Sequence, residues 1–307
     1  MNISPRSAVP TGGCLFSETT RSGSIDQLNH LLGKVELSML ARFDCPGIVN
    51  QALTDHLQSG GGRFRARLAL DAGLKLALPN DVCVAIAAAI ELLHNASLVH
   101  DDLQDRDRER RGRPSLWAKY GSDTALLAGD LMLASAYAAL AESGGKVPRL
   151  IQAMHERVGL LIHGQIEDLH ADPGATVSIE DYERIATGKS GPLLSLPLEL
   201  MLLRAGQDSA ARSARACGEA FAIGYQIYDD LRDIKADSIK GTLNIVNLLE
   251  SSGSQQASSQ ASSLAVSWFA RSIHHAEQLP NHIAELIVVA SKQLASKIEP
   301  MPVPCRS

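Results

Sequence analysis

The sequence predicts an all-α fold, and three observations carry that expectation. Hydrophobic residues make up 45% of the 307, and most of them are Ala and Leu, both strong helix formers. Long stretches place apolar residues three and four apart, the repeat of a helix with one inward face. No segment alternates polar and apolar residues over a convincing strand length. The expected architecture is a single-domain helical bundle over residues 24–300, packed around a central apolar cavity.

In chain order, residues 1–23 are rich in Ser, Thr, Gly and Pro, which predicts a disordered tail rather than a transit peptide. Ser24 with Gln27 has the form of a capping box, and Leu28, Leu31, Leu32, Val35 and Met39 follow at helical spacing. A second helix carries Val49, Leu53 and Leu57 and stops at Gly60, Gly61 and Gly62. Beyond that glycine loop stand Arg63, Arg65 and Arg67, placed to hold an anion near a helix start.

Pro79 and Asn80 start a long apolar helix that runs into Asp101, Asp102 and Asp105. Further helices are expected from Asp123 to Ala141 and from Val147 to His170. Another starts at Ser178 and should be interrupted at Gly188–Pro192, the GKSGP stretch. Asp208 opens a helix expected to end at a second acidic cluster, Asp229, Asp230 and Asp233. A polar connector, SSGSQQASSQASS, precedes two amphipathic helices around Leu264–Leu279 and Ile283–Ile298, and residues 301–307 form a short tail.

Charge and composition exclude several classes. A net charge of −5 gives no general attraction for nucleic acid, so any anion site must be local. The stretch Val82–Val99 contains Glu91, His94 and Asn95, and Leu126–Ala141 contains Asp130, so no membrane span is expected. Five cysteines without a CxxC pair fit a reduced, cytoplasmic compartment.

The two acidic clusters carry the chemistry. Carboxylates three and four residues apart on a helix crowd one face within about 6 Å and repel one another. One such cluster is as well explained by a solvated acidic face. Two matched clusters, each following a long apolar stretch, imply a cation between the carboxylates, because burying them unpaired is costly. Mg²⁺ suits the arrangement, since it takes one or two carboxylates, keeps waters and completes its shell with phosphate oxygens. The basic residues Arg110, Arg111, Arg113, Lys189, Lys235 and Lys240 then point to a diphosphate held above an aliphatic hole.

On HNASLVHDDLQD followed by RRGRP, GQIEDL, GKSGPL, YQIYDDLRD and KGTLNIVNLL, the chain resembles the trans-polyprenyl diphosphate synthases over about Gly60–Leu249, most of all the geranylgeranyl diphosphate synthases. The resemblance implies the isoprenoid synthase fold, a homodimer, and a Mg²⁺-dependent prenyltransferase condensing allylic diphosphates (dimethylallyl, geranyl or farnesyl) head-to-tail with isopentenyl diphosphate. It further implies three Mg²⁺ held by Asp101, Asp105 and Asp229, with Asp102, Asp230 and Asp233 as supporting ligands or behind them. Arg110, Lys189, Ser190, Gln226 and Lys240 would face the allylic diphosphate and its cationic carbons. Arg65, His94 and Arg111 would hold isopentenyl diphosphate.

Two departures from the family pattern stand out. Gly62 replaces a lysine and Ala66 a proline, and Arg63 or Arg67 is expected to stand in for the missing cation. The link from Asp233 to Lys240 is also short. Product length is expected to be set by Leu93, Ala96 and Ser97, because one helical turn of 5.4 Å is near the length of an isoprene unit. Small residues at 96 and 97 predict a product beyond C15, with Leu93 and Met132 or His163 closing the space at C20. The alternatives are a farnesyl or longer polyprenyl synthase, a class I terpene cyclase and a non-catalytic modulatory subunit. The cyclase needs aromatic faces around a cation, for which 5 Phe, 5 Tyr and 2 Trp are few.

Overall fold

The structure, a computed structural model, describes residues 22–43, 47–170, 177–240 and 242–298, without the side chains of 22–24, Ala236, Ile239 and Lys240. The expected tails lie outside the described residues, except that Ser22 and Gly23 already belong to the first helix. Among the described residues the fold is all-α, with twelve α-helices and one two-residue strand pair. The described residues form two compact units, those up to Gln152 with Leu203–Gly206, and those of Ala153–Leu202 with those from Gln207 on.

The first unit contains α1 (Ser22–Leu40), α2 (Ile48–Gln58), α3 (Phe64–Lys75), α4 (Asn80–Gln104), α5 (Leu116–Tyr120), α6 (Ser122–Ala141) and the start of α7 (Val147–Leu169). Its core is α4, which packs on α1, α3 and α6. Ala85 through Ile90, Leu92, Leu93, Ala96 and Val99 are all buried. Each fully buried Leu or Ile contributes about 1.5–3 kcal/mol of burial. By length and composition α4 and α6 are apolar enough to cross a membrane, yet 83% of the α4 window is buried inside the protein, as for a core helix, against 44% for α6.

One element is absent from the sequence reading. Glu109–Arg110 (β1) pairs antiparallel with Arg113–Pro114 (β2), and the turn between them puts Arg111 (φ 56°) and Gly112 (φ 72°) in the left-handed region. Two consecutive positive φ values make the tight turn that matches strand twist. Two-residue strands are too short to show any alternation.

The second unit contains the rest of α7, α8 (Ile179–Ala205), α9 (Ala211–Lys240), α10 (Ile245–Ser251), α11 (Ala257–Glu277) and α12 (Glu285–Ile298). Three expectations are corrected here. First, α8 runs unbroken through Gly188–Pro192 with Pro192 and Pro197 inside it. An interior proline costs about 3 kcal/mol, and here the buried run Leu193, Leu194, Leu196, Leu198, Leu200 and Met201 offsets it. The glycines serve helix contact instead: an added Cβ on Gly188 would lie 3.0 Å from Gly164 Cα of α7, and one on Gly218 of α9 2.6 Å from Ser195 Cα.

Second, the cluster Asp229–Asp233 lies inside α9, which continues to Lys240. Third, the Ser/Gln connector is half helix. Ala257, Ala261 and Ala265 of α11 are buried at four-residue spacing, while Ser262 and Ser263 bond back to the carbonyls of Ser258 and Ser259 at 2.8 and 3.0 Å. Local hydroxyl bonds of this kind satisfy serines that otherwise signal a loop.

The α7–α8 crossing is therefore a backbone contact that no side-chain rotation relieves. Gly164→Ala is expected to lower unfolding free energy by about 1–3 kcal/mol. Gly159→Ala, with nothing within 4 Å of an added Cβ, should raise it by about 0.5–1 kcal/mol. Urea melts of both variants test the contrast, and equal midpoints would contradict it.

Candidate active site

In the first unit, the last turn of α4 leaves Asp101 half-buried and Asp105 exposed, while Asp102 is turned inward with none of its side chain exposed. Arg110 meets it with Nε at 2.7 Å and Nη2 at 2.5 Å from Oδ1. Burial raises the Asp102 pKa despite the arginine. Its other oxygen, Oδ2, is buried without a hydrogen-bond partner among the described residues.

The β1–β2 turn sends the two neighbouring arginines to different places. Arg110 goes to Asp102. Arg111 donates to the Gly60 carbonyl, with its guanidinium against Gly61, where a Cβ would fall 2.7 Å from Cζ. Gly61 at φ 124° is required by both its backbone angle and this contact.

Arg65, in the first turn of α3, lies with Nη1 3.1 Å from His94 Nε2 on α4. A guanidinium only donates, so His94 Nε2 accepts and the ring proton sits on Nδ1. That nitrogen is buried without a hydrogen-bond partner among the described residues. Burial, then Arg65, Arg111, Arg110 and Arg63, hold His94 neutral, well below the ordinary imidazole range. His56 of α2 is pushed down to about 3 by burial, then Arg111 and Arg110. Its Nε2 donates to Asn95 Oδ1 (3.1 Å), and Asn95 Nδ2 donates to the Glu91 carbonyl at 2.7 Å.

The structure thus brings Arg65, His94 and Arg111 together, as expected, and adds His56, Asn95 and Glu91, which the sequence reading missed. The proposed stand-ins for the lysine absent at Gly62 are engaged elsewhere. Arg63 Nη2 donates to the Leu57 carbonyl at 2.6 Å and Nη1 lies 3.6 Å from Glu91. Arg67 donates to Asn29 at 3.1 Å. Ala66 also has a reason: its N–H donates to Glu91 Oε2 at 3.2 Å, a bond no proline can make. Behind the acidic turn, Leu93 and Ala96 are buried, as is Met132 of α6, and Ser97 bonds back to the His94 carbonyl at 2.9 Å.

In the second unit, Asp229 and Asp230 are buried and Asp233 half-buried on α9. Asp230 accepts from Gln226 Nε2 at 2.8 Å, from the Tyr182 hydroxyl at 2.8 Å and from the Ile245 N–H at 2.9 Å. Burial raises its pKa to about 7. Gln226, expected to face the reacting carbons, therefore spends its amide donor on Asp230. Lys189 of α8 pairs with Asp168 of α7 at 2.5 Å, and Ser190 is half-buried beside it. The Lys240 side chain and Gly241 lie outside the described residues. Tyr182 and Asn244 were missed; Asn244 before the largely apolar run IVNLL is a readable N-cap signal.

Among the described residues no three His, Cys, Asp or Glu side chains converge on one point as a metal cage. An all-carboxylate oxygen set with few protein ligands is nonetheless the kind Mg²⁺ uses when phosphate and water complete its shell. Asp101 with Asp105, and Asp229 with Asp233, fit that donor chemistry; Asp102, gripped by two nitrogens of Arg110, and Asp230, held by three donors, fit it less well.

Neutral buried histidines make stability depend on pH. Between about pH 3 and 6.5 the folded protein binds fewer protons at His56 than the unfolded chain does. Its contribution is complete above about pH 6.5 and is lost as pH falls, by up to about 1.4 kcal/mol per pH unit. Urea melts at about pH 7.5 and 5.5 should show this loss, and His56→Gln, whose amide still reaches Asn95, should lose less. Parallel losses in the two proteins would contradict the assignment.

The sequence profile of the Polyprenyl synthetase family matches residues 46–242. The geranylgeranyl diphosphate synthase of Mycobacterium tuberculosis is 34% identical over 251 residues, 74% of this chain and 71% of that protein. The (2E,6E)-farnesyl diphosphate synthase of the same organism is 39% identical over 150 residues, 48% of this chain and 42% of the relative, so the match spans less than half of that protein. In three dimensions, the decaprenyl diphosphate synthase of Rhodobacter capsulatus superposes with a TM-score of 0.81 at 19% identity, over 89% of this chain and 98% of the other, a likeness of fold. The chain belongs to the polyprenyl synthetase family.

Proposed function

We propose that the chain is a Mg²⁺-dependent trans-prenyltransferase that joins an allylic diphosphate head-to-tail to isopentenyl diphosphate and stops at geranylgeranyl diphosphate. The observation that carries this reading is the grouping of Arg65, His94 and Arg111 in the same unit as the acidic turn of α4. A synthase needs a second anion site for isopentenyl diphosphate, whereas a cyclase does not.

Asp101, Asp105 and Asp229 would hold Mg²⁺, three ions in all, which when bound supplies Lewis acidity to the leaving diphosphate. Arg110, Lys189, Ser190 and Lys240 would face that diphosphate, with Lys189 exchanging Asp168 for phosphate oxygens. Arg65 and Arg111 would hold isopentenyl diphosphate, and His94, kept neutral with its proton on Nδ1, would donate to a phosphate oxygen. Fixed donors of this kind stabilise charge without reorganising. The allylic C–O bond breaks, the double bond of isopentenyl diphosphate takes up the allylic cation, and a proton is lost. Gln226, whose amide nitrogen is held by Asp230, would present its carbonyl dipole toward the cationic carbons, and exclusion of water would prevent hydrolysis.

Product length is read from α4. Ala96 and Ser97 leave the first turn behind the acidic residues small, and Leu93 with Met132 closes the space beyond it. The relatives' names include farnesyl, geranylgeranyl and nonaprenyl synthases, and the small residues at 96 and 97 support C20 among them. A homodimer is supported by α6, where Leu126 and Leu127 are 49% and 57% exposed; a second copy would cover them. Free, buried Cys83 and Cys217 suit a cytoplasmic protein.

The test supplies Mg²⁺, isopentenyl diphosphate and each of the C5, C10 and C15 allylic diphosphates. Geranylgeranyl diphosphate is expected from all three, with loss of turnover by at least about 10²-fold in Asp101→Asn and on chelation of the metal. Ala96→Phe should shorten the product to C15. Consumption of geranylgeranyl diphosphate alone would indicate a cyclase, and no turnover at all a non-catalytic subunit.

A further inference from the structure

We propose that Tyr182 and Asp230 are a positioning pair: Asp230 is the buried anchor through which α8 and α10 hold the turn of α9 that carries Asp229 and Asp233. The inference rests on the function proposed above, because the orientation of that turn matters to chemistry only if its outer carboxylates hold Mg²⁺ and diphosphate.

Three elements deliver donors to this one carboxylate. Gln226 comes from one turn earlier on α9, the Tyr182 hydroxyl from the first turn of α8, and the N–H of Ile245 from the first residue of α10. With Asp230 only 2% exposed, the carboxylate has no open side for a solvated ion. Its own backbone carbonyl is held as well, by Asn244 Nδ2 at 2.9 Å. The same Asn244 amide donates to Asp237 Oδ2 at 2.9 Å, and its Oδ1 caps α10 by accepting from Val246 N–H at 2.9 Å. Asp237 in turn accepts from the Thr242 hydroxyl at 3.0 Å.

The α10 end is thus tied to α9 at two points two turns apart, Asp230 and Asp237, and Tyr182 ties α8 to the first of them. Seven residues separate Tyr182 from Lys189, two helical turns, so both ride on one face of α8. The rotation of α8 that lets Tyr182 reach Asp230 therefore also sets where Lys189 stands. Loss of a direct partner of a metal-holding carboxylate commonly weakens metal binding 10- to 100-fold; Tyr182 acts one bond further back, through Asp230, so its loss falls at the low end of that range.

The competing role for Asp230 is direct coordination, and Tyr182→Phe separates the two because it keeps every carboxylate and the ring volume. Calorimetric titration of Mg²⁺ in the presence of inorganic pyrophosphate is run on the wild type, Tyr182→Phe, Asp230→Asn and the double variant. Half-saturation by Mg²⁺ is expected to rise roughly tenfold in Tyr182→Phe, with the number of ions bound unchanged and the Ile245 amide exchanging faster. The double variant should bind no more weakly than Asp230→Asn alone. Wild-type affinity in Tyr182→Phe, or effects that multiply in the double variant, would overturn the pairing. If Tyr182→Phe does not fold, Asn244→Ser, which can still cap α10, should raise half-saturation by roughly threefold, and no change would overturn the proposal equally. Indifferent variants with intact wild-type binding sink only the pair; a wild type that binds neither Mg²⁺ nor pyrophosphate sinks the function as well.

Discussion

In each of the two acidic motifs, one buried aspartate holds the protein together through donors from neighbouring elements. Asp102 grips Arg110 and thereby the β1–β2 turn. Asp230 gathers Tyr182, Gln226 and the start of α10. Three neighbouring carboxylates on one helix would otherwise repel, and binding one of them to several donors of the protein relieves part of that repulsion. A pair is what a hydrated, phosphate-bound Mg²⁺ takes from a protein. The spacing of the motif therefore serves two tasks, one structural and one suited to a cation.

The basic half of the first unit follows a matching logic. Four arginines, Arg63, Arg65, Arg110 and Arg111, act on His94, and the ring stays neutral in their company. Two of the four meet buried carboxylates, Arg63 at Glu91 and Arg110 at Asp102. Arg111 is steadied by a backbone carbonyl instead. A guanidinium that meets a carbonyl keeps its full charge for an arriving anion, and fixing it before arrival reduces the reorganisation that binding requires. Glu91 gives this region its internal counter-charge, and it also accepts the N–H of Ala66 in the first turn of α3.

Much of this was readable from the residues. Helical periodicity located the long helices, α4 most closely because its burial is nearly complete, while the interruption of α8, the end of α9 and the start of α11 were misplaced. The acidic spacing and the triad of Arg65, His94 and Arg111 were legible from residue type and from resemblance. The failures have physical causes. GKSGP looks like a break because glycine and proline destabilise isolated helices, but in α8 the glycines admit α7 and α9 at backbone contact and packing outweighs the loss. The Ser-rich stretch looks like a loop because serine competes for backbone bonds, and here it does so inside α11. Tyr182 carried no signal at all, because its importance lies in a partner 48 residues away.

The most direct test is a crystal structure of the protein with Mg²⁺ and an unreactive allylic thiodiphosphate. The account predicts Asp101, Asp105 and Asp229 about 2.1 Å from Mg²⁺ around one shared diphosphate, with Asp102 still on Arg110 and Asp230 still on Tyr182. Coordination of Mg²⁺ by Asp102 or Asp230, or the two motifs binding ions without a common diphosphate, would contradict it.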